Sequence, residues 1–211
     1  YQGVDDAEAG DIRYINEYTL STPFDISTKT YAGNGERCEL DHNENDDNNH
    51  RRYFDLEFSN DGLKIFLTSG NSGLDDADGD RVYRFDLTTP YDVSTCTFAQ
   101  KTTNLDTDAN LNGSNAGDFT ASNRKENRLQ GVEINDDGTK LFLSFYVKNQ
   151  TSKLLEFNLS TPYDLTTMSL NKSAGFETPT TNPMAIRFSA NGKRIFIVDH
   201  NDLDITQISL G

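Results

Sequence analysis

Two short phrases alternate along this chain, and their recurrence constrains the fold more than any other feature. The first is Phe58-Ser-Asn-Asp-Gly-Leu-Lys-Ile-Phe-Leu67. It returns as Ile134-Asn-Asp-Asp-Gly-Thr-Lys-Leu-Phe-Leu143 and as Phe188-Ser-Ala-Asn-Gly-Lys-Arg-Ile-Phe-Ile197. The second spans Ile12–Thr28, Val82–Thr95 and Leu154–Thr167, each copy centred on Ser/Thr-Thr-Pro-Tyr/Phe-Asp. Residues Ile205–Leu210 begin the second phrase once more. Each phrase reads as strand, tight turn, strand. Asn and Asp before Gly tolerate the positive φ of a short hairpin turn. In the second phrase, Val82, Arg84 and Asp86 alternate with Tyr83, Phe85 and Leu87, the period of a strand. Pro23, Pro90 and Pro162 then end the strand because proline has no N–H for the ladder. Asp25, Asp92 and Asp164 are placed to close the turn that follows. Long helical periodicity is absent, so the chain is all-β.

One repeat is therefore four strands, a to d, and tandem four-stranded antiparallel units define β-propeller-type blades. The whole chain, 1–211, reads as a single repeat domain with blade parts at about 12–33, 53–100, 129–171 and 184–211. That makes about three and a half blades, whereas ring closure in this architecture takes about four to eight. Open blade edges attract further strands. A piece of a longer polypeptide, or a subunit completed by another chain, is expected. The Phe188–Ile197 phrase resembles the strand pair of YVTN and TolB-like propeller repeats. The Ser/Thr-Thr-Pro-Tyr/Phe-Asp phrase resembles tandem repeats of bacterial and bacteriophage surface proteins. Those relatives carry Pro where this chain has Asn60, Asp136 and Ala190, and Trp where it has Phe24, Tyr91 and Tyr163. The resemblance implies a propeller and leaves function open, since the fold hosts unrelated activities.

Length variation falls in two kinds of connection. The d-to-a links run over about 33–52, 100–128 and 171–183, and the b-to-c links over 69–80, 148–152 and 199–202. Antiparallel order puts both kinds at one end of every blade, so insertions gather on one rim. That rim is acidic, in keeping with 34 acidic against 19 basic residues and a net charge of -15. Asp108, Asn110 and Asn112, followed by Gly113, match the first half of a calcium loop, with Asp106 or Asp118 standing in for its final acid. Asp76, Asp78 and Asp80 form a second alternating triplet. Calcium is the one cofactor these spacings suggest.

The same charge disfavours nucleic acid, and no apolar run is long enough to insert in a membrane. Among catalytic signatures, G-x-S-x-G, H-E-x-x-H and glycine-rich phosphate loops are all missing. The three histidines, His42, His50 and His200, have no nucleophile beside them in sequence. Cys38 and Cys96 fall on adjacent blades and are expected to form a disulfide, which suits an extracellular, cell-surface or virion setting. Most of the 22 Tyr and Phe side chains belong to strands, which leaves loop aromatics such as Phe119 and Tyr146 for ligand stacking. The expectation is a non-enzymatic surface protein whose acidic loop face binds a glycan, a protein receptor or copies of itself. The alternatives are a structural subunit assembling edge to edge, and a propeller hydrolase of lactonase type.

Overall fold

The computed structural model describes residues 13–40, 52–70, 80–105, 128–147, 151–175, 182–200 and 205–209. The described residues form antiparallel sheets joined by turns and short 3-10 segments. The first blade is partial. Its third strand is split into β1 (Tyr14–Asn16) and β2 (Tyr18–Leu20), and its fourth into β3 (Lys29–Tyr31) and β4 (Arg37–Glu39). β2 pairs with β3 and β1 with β4. The link expected to start at residue 33 therefore returns to strand at 37–39, after a turn closed by the Glu36 N–H on Gly33 O.

The second blade runs β5 (Arg52–Phe58), β6 (Lys64–Gly70), β7 (Arg81–Leu87) and β8 (Cys96–Lys101), in that order. The third repeats it with β9 (Arg128–Ile134), β10 (Lys140–Tyr146), β11 (Lys153–Leu159) and β12 (Met168–Gly175). The fourth contributes β13 (Pro183–Phe188), β14 (Arg194–Asp199) and β15 (Ile205–Ser209). Apolar residues of each sheet bury against the next sheet. One such layer joins Cys38 and Leu40 to Ile65, Tyr83, Phe85 and Val93, and a second joins Phe66 and Val82 to Leu129, Leu141 and Leu165. A disulfide between Cys38 and Cys96, with Cα atoms 5.6 Å apart, ties β4 to the start of β8.

Both hairpin turns form as their residue types dictate. Asp61 and Asp137 accept the Leu63 and Thr139 N–H groups, and Gly62, Gly138 and Gly192 adopt positive φ. Asp25, Asp92 and Asp164 accept from the N–H two residues on and open the 3-10 turns into the fourth strands. Between the proline and this aspartate sits an aromatic with φ near +60°, at Phe24, Tyr91 and Tyr163, a conformation that costs about 1 kcal/mol or more. Three contacts within each complete blade offset it. The Tyr91 N–H donates to Gly62 O, its hydroxyl donates to Asn60 O, and its ring covers Gly62. Tyr163 treats Gly138 and Asp136 in the same way. The aromatic thus staples the c–d turn onto the a–b turn.

A methyl group at Gly138 would sit 2.6 Å from the Tyr163 ring, while one at Gly192, with nearly the same φ, meets nothing within 4 Å. Gly138→Ala should therefore cost about 2–4 kcal/mol and Gly192→Ala only about 1 kcal/mol. Urea unfolding in dilute solution checks this, and equal losses would remove the staple.

Candidate active site

The first strand of each blade converges on a common axis: β9 packs against β5 and β6, while β13 packs against β9, β10 and β5. All three first strands carry an irregularity at the same place in their pairing with the second strand. In the second and third blades a hydroxyl on the second strand serves that place. Thr68 Oγ1 accepts the Asp55 N–H and donates to Gln130 O of the following blade. Ser144 Oγ, its counterpart, accepts the Gly131 N–H and donates to Pro183 O. These bridges fix one first strand against the next.

Register then decides what faces the axis. Glu57 pairs with Phe66, Glu133 with Phe142 and Arg187 with Phe196, so the three occupy one repeat position. Asp55 lies two residues earlier on β5, and its counterparts are Gly131 and Ala185, which leave room. Arg187 gathers the acids. Its Nη1 is 3.1 Å from Asp55 Oδ2 and 3.4 Å from Glu133 Oε2, and its Nη2 is 3.2 Å from Asp55 Oδ1 and 3.3 Å from Glu57 Oε2. The guanidinium also donates to the carbonyls of Leu56, Val132 and Ile186. Asp55 is further fixed by the Val132 N–H at 3.1 Å.

Three carboxylates share one guanidinium in a half-buried site, and the protonation of Glu133 and Glu57 reflects it. Burial pushes Glu133 up to about 7, helped by the charges of Glu57 and Asp55 and opposed by the Phe188 N–H and Arg187. Its second oxygen makes no hydrogen bond among the described residues. Burial also raises Glu57, against the pull of Arg187. For Arg187, burial alone would lower the pKa, but Asp55, Glu57 and Glu133 together raise it. The Arg187 side chain keeps 43% of its surface in contact with solvent. What results is a carboxyl that changes charge near neutrality beside a fixed positive pole, a constellation suited to proton transfer.

This site differs in place from the acidic rim expected above. Glu57, Glu133 and Arg187 stand one residue before the end of β5, β9 and β13, next to the short a–b turns rather than the long links. Of the calcium candidates, Asp76, Asp78, Asp106, Asp108, Asn110, Asn112 and Asp118 lie outside the described residues, as do His42, His50 and Phe119. Asp80 is fully buried at the base of β7, and its carbonyl accepts the Leu105 N–H. Among the described residues no group of three or more His, Cys, Asp and Glu is arranged to hold a metal ion. His200 is exposed, with its N–H on Asn182 O.

No family model matches the chain, and no curated protein matches it by sequence. Solved structures do match. A candidate 6-phosphogluconolactonase from Bacteroides fragilis superposes over 93% of this chain and 44% of its own, with a TM-score of 0.53 at 14% identity. A protein from Lactobacillus plantarum superposes over 93% of this chain and 45% of its own, with the same TM-score at 15% identity. The fold is that of β-propeller blades. The chain spans somewhat under half the length of each of these propellers. At such identity the likeness concerns the fold, but the lactonase name of the first match corrects the expectation that a chain on this scaffold is not an enzyme.

Charge burial at the axis has a measurable sign. Glu133 ionises near 4.5 in the unfolded chain and at about 7 in the folded one, so folding takes up a proton between those values. Stability is penalised as pH rises through that window, and the penalty is complete above about 7. Glu133→Gln removes it. The variant should gain about 1–3 kcal/mol on the wild type at pH 8 and little below pH 4.5, in denaturant titrations at both values. A gain independent of pH would refute this reading of the site.

Proposed function

We propose that the axial cluster is the working site of a lactonase-type hydrolase that opens the cyclic ester of a sugar acid. The observation that carries the reading is the cluster itself: Glu133, poised at about 7, lies across from Arg187 on strands that line the axis. The lactonase name of a structural match agrees with it. Ionised Glu133 takes a proton from a water molecule as its oxygen adds to the ring carbonyl. Arg187, the only cation of the cluster, steadies the negative charge that develops on the carbonyl oxygen. The ring C–O bond then breaks, Glu133 returns its proton to the departing alkoxide, and the product is the open hydroxy acid. Asp55 acts as a positioning residue, since it holds the guanidinium by two contacts.

Substrate charge follows from the same groups. Asp55, Glu57 and Glu133 outnumber Arg187, so an uncharged lactone ring is favoured over a phosphorylated one. The test is hydrolysis of gluconolactone and of its 6-phosphate by the purified chain, corrected for the spontaneous reaction at each pH. The uncharged lactone should be opened faster, with a rate rising through about pH 7 as Glu133 ionises. Glu133→Gln should lower that rate by about a hundredfold or more while the fold persists. A rate no faster than the background, or a Glu133→Gln variant as active as the wild type, would defeat the proposal.

A further inference from the structure

Asn-Gly pairs occur in this chain at Asn34, Asn112 and Asn191. The first and last lie among the described residues, and the fold holds them in opposite ways. Before glycine, an asparagine side-chain amide is most open to attack by the next backbone nitrogen, because glycine has no Cβ to obstruct the approach. Whether the attack happens in a folded chain depends on what holds the two groups.

Asn34 and Gly35 take the central positions of the turn between β3 and β4, which the Glu36 N–H closes on Gly33 O at 3.0 Å. Both are exposed, and a Cβ built on Gly35 would meet nothing within 4 Å. Among the described residues no acceptor takes the Gly35 N–H or the Asn34 side-chain N–H groups. Asn34 Oδ1 accepts the Tyr31 hydroxyl at 3.1 Å, a bond that draws electrons from the amide carbon. Nucleophile, electrophile and leaving group are all accessible here.

Asn191 and Gly192 are the same dipeptide in a locked turn. The Gly192 N–H donates to Ser189 O at 2.7 Å, so its nitrogen is engaged. Asn191 Oδ1 accepts the Ser189 hydroxyl at 2.8 Å and the Lys193 N–H at 3.1 Å, which fix the side chain inside the turn. In the second blade Asp61 is held in the same way by Ser59 and Leu63. The lock thus belongs to the a–b turn, whichever residue stands in it.

From this contrast we infer that Asn34 is a modification site, converted without an enzyme to aspartate and isoaspartate, while Asn191 is protected by its turn. The Gly35 nitrogen, having lost its proton to solvent, adds to Asn34 Cγ. The Cγ–Nδ2 bond then breaks, and ammonia departs with a proton taken from water. Water next opens the cyclic imide at either carbonyl. Opening at Cγ leaves aspartate, and opening at the main-chain carbonyl leaves isoaspartate, with one water consumed and one ammonia released for each conversion. Either product brings a negative charge to the turn. Isoaspartate also adds one atom to the main chain inside the ring that the Glu36 N–H closes, shortly before the disulfide at Cys38. The site is independent of the chemistry at the axis.

The test is peptide mapping by mass spectrometry of the full chain, kept warm at neutral and at mildly alkaline pH. The peptide holding Asn34 should gain the mass of an amide-to-acid change and split into two forms on chromatography. Its rate should rise with pH, since the Gly35 nitrogen must lose a proton. The peptide holding Asn191 should convert about tenfold more slowly, because its turn must open first. In guanidinium chloride, where neither turn exists, the two rates should meet. Asn34→Gln should abolish the change in the first peptide and leave the second as it was. An Asn34 that stays unconverted, equal rates in the folded chain, or a difference that survives the denaturant would each overturn the inference.

Discussion

Everything at the axis depends on a hydroxyl that joins one blade to the next. Thr68 and Ser144 each accept a backbone N–H from the irregular first strand of their own blade and donate to a carbonyl on the first strand of the following one. Backbone groups left unpaired at such an irregularity would be costly to bury. One side chain satisfies them and fixes the spacing of β5, β9 and β13. Only with that spacing can residues 55, 57, 133 and 187, separated by as many as 132 positions, share a site.

Two further polar side chains, Arg84 and Gln100, also make contacts that cross a blade boundary. Arg84 is held by Asp86 on its own strand and donates to Tyr163 O in the next blade. Gln100 accepts the Leu165 N–H and donates to Asp164. Sheet-to-sheet burial supplies the non-directional part of the energy, while these bonds set the angle between neighbours. The geometry of the axial site and of the array are thus one problem: a shift between the second and third blades that loosened Arg84 or Gln100 would also move Glu133 relative to Asp55 and Glu57.

The blades were legible in the sequence because turn chemistry is local. Asn-Asp-Gly, Thr-Pro-Tyr-Asp and period-two alternation each state their structure within ten residues, and the strands and turns follow them. The split of the first blade's strands was not legible, since Gly33 and Glu36 close a turn inside a run that lacks the repeat pattern. The axial site was hidden for a different reason. Reading for insertions led to the long links, yet the site sits on the repeat itself, at the residue before Phe58, Ile134 and Phe188. Two copies place Glu there and one places Arg. That change of charge at a single repeat position was the available signal, and its meaning appears only once the blades stand around an axis.

The account stands on β5 and β13 meeting at that axis, and a double-mutant cycle on Asp55 and Arg187 tests it most directly. Asp55→Asn, Arg187→Gln and the double variant would be compared by denaturant unfolding at pH 7. A contact pair fixed as described should show a coupling of about 1–2 kcal/mol, with the double variant less destabilised than the sum of the single ones. Strict additivity would mean that the two residues do not meet, and the shared axial site would go with them.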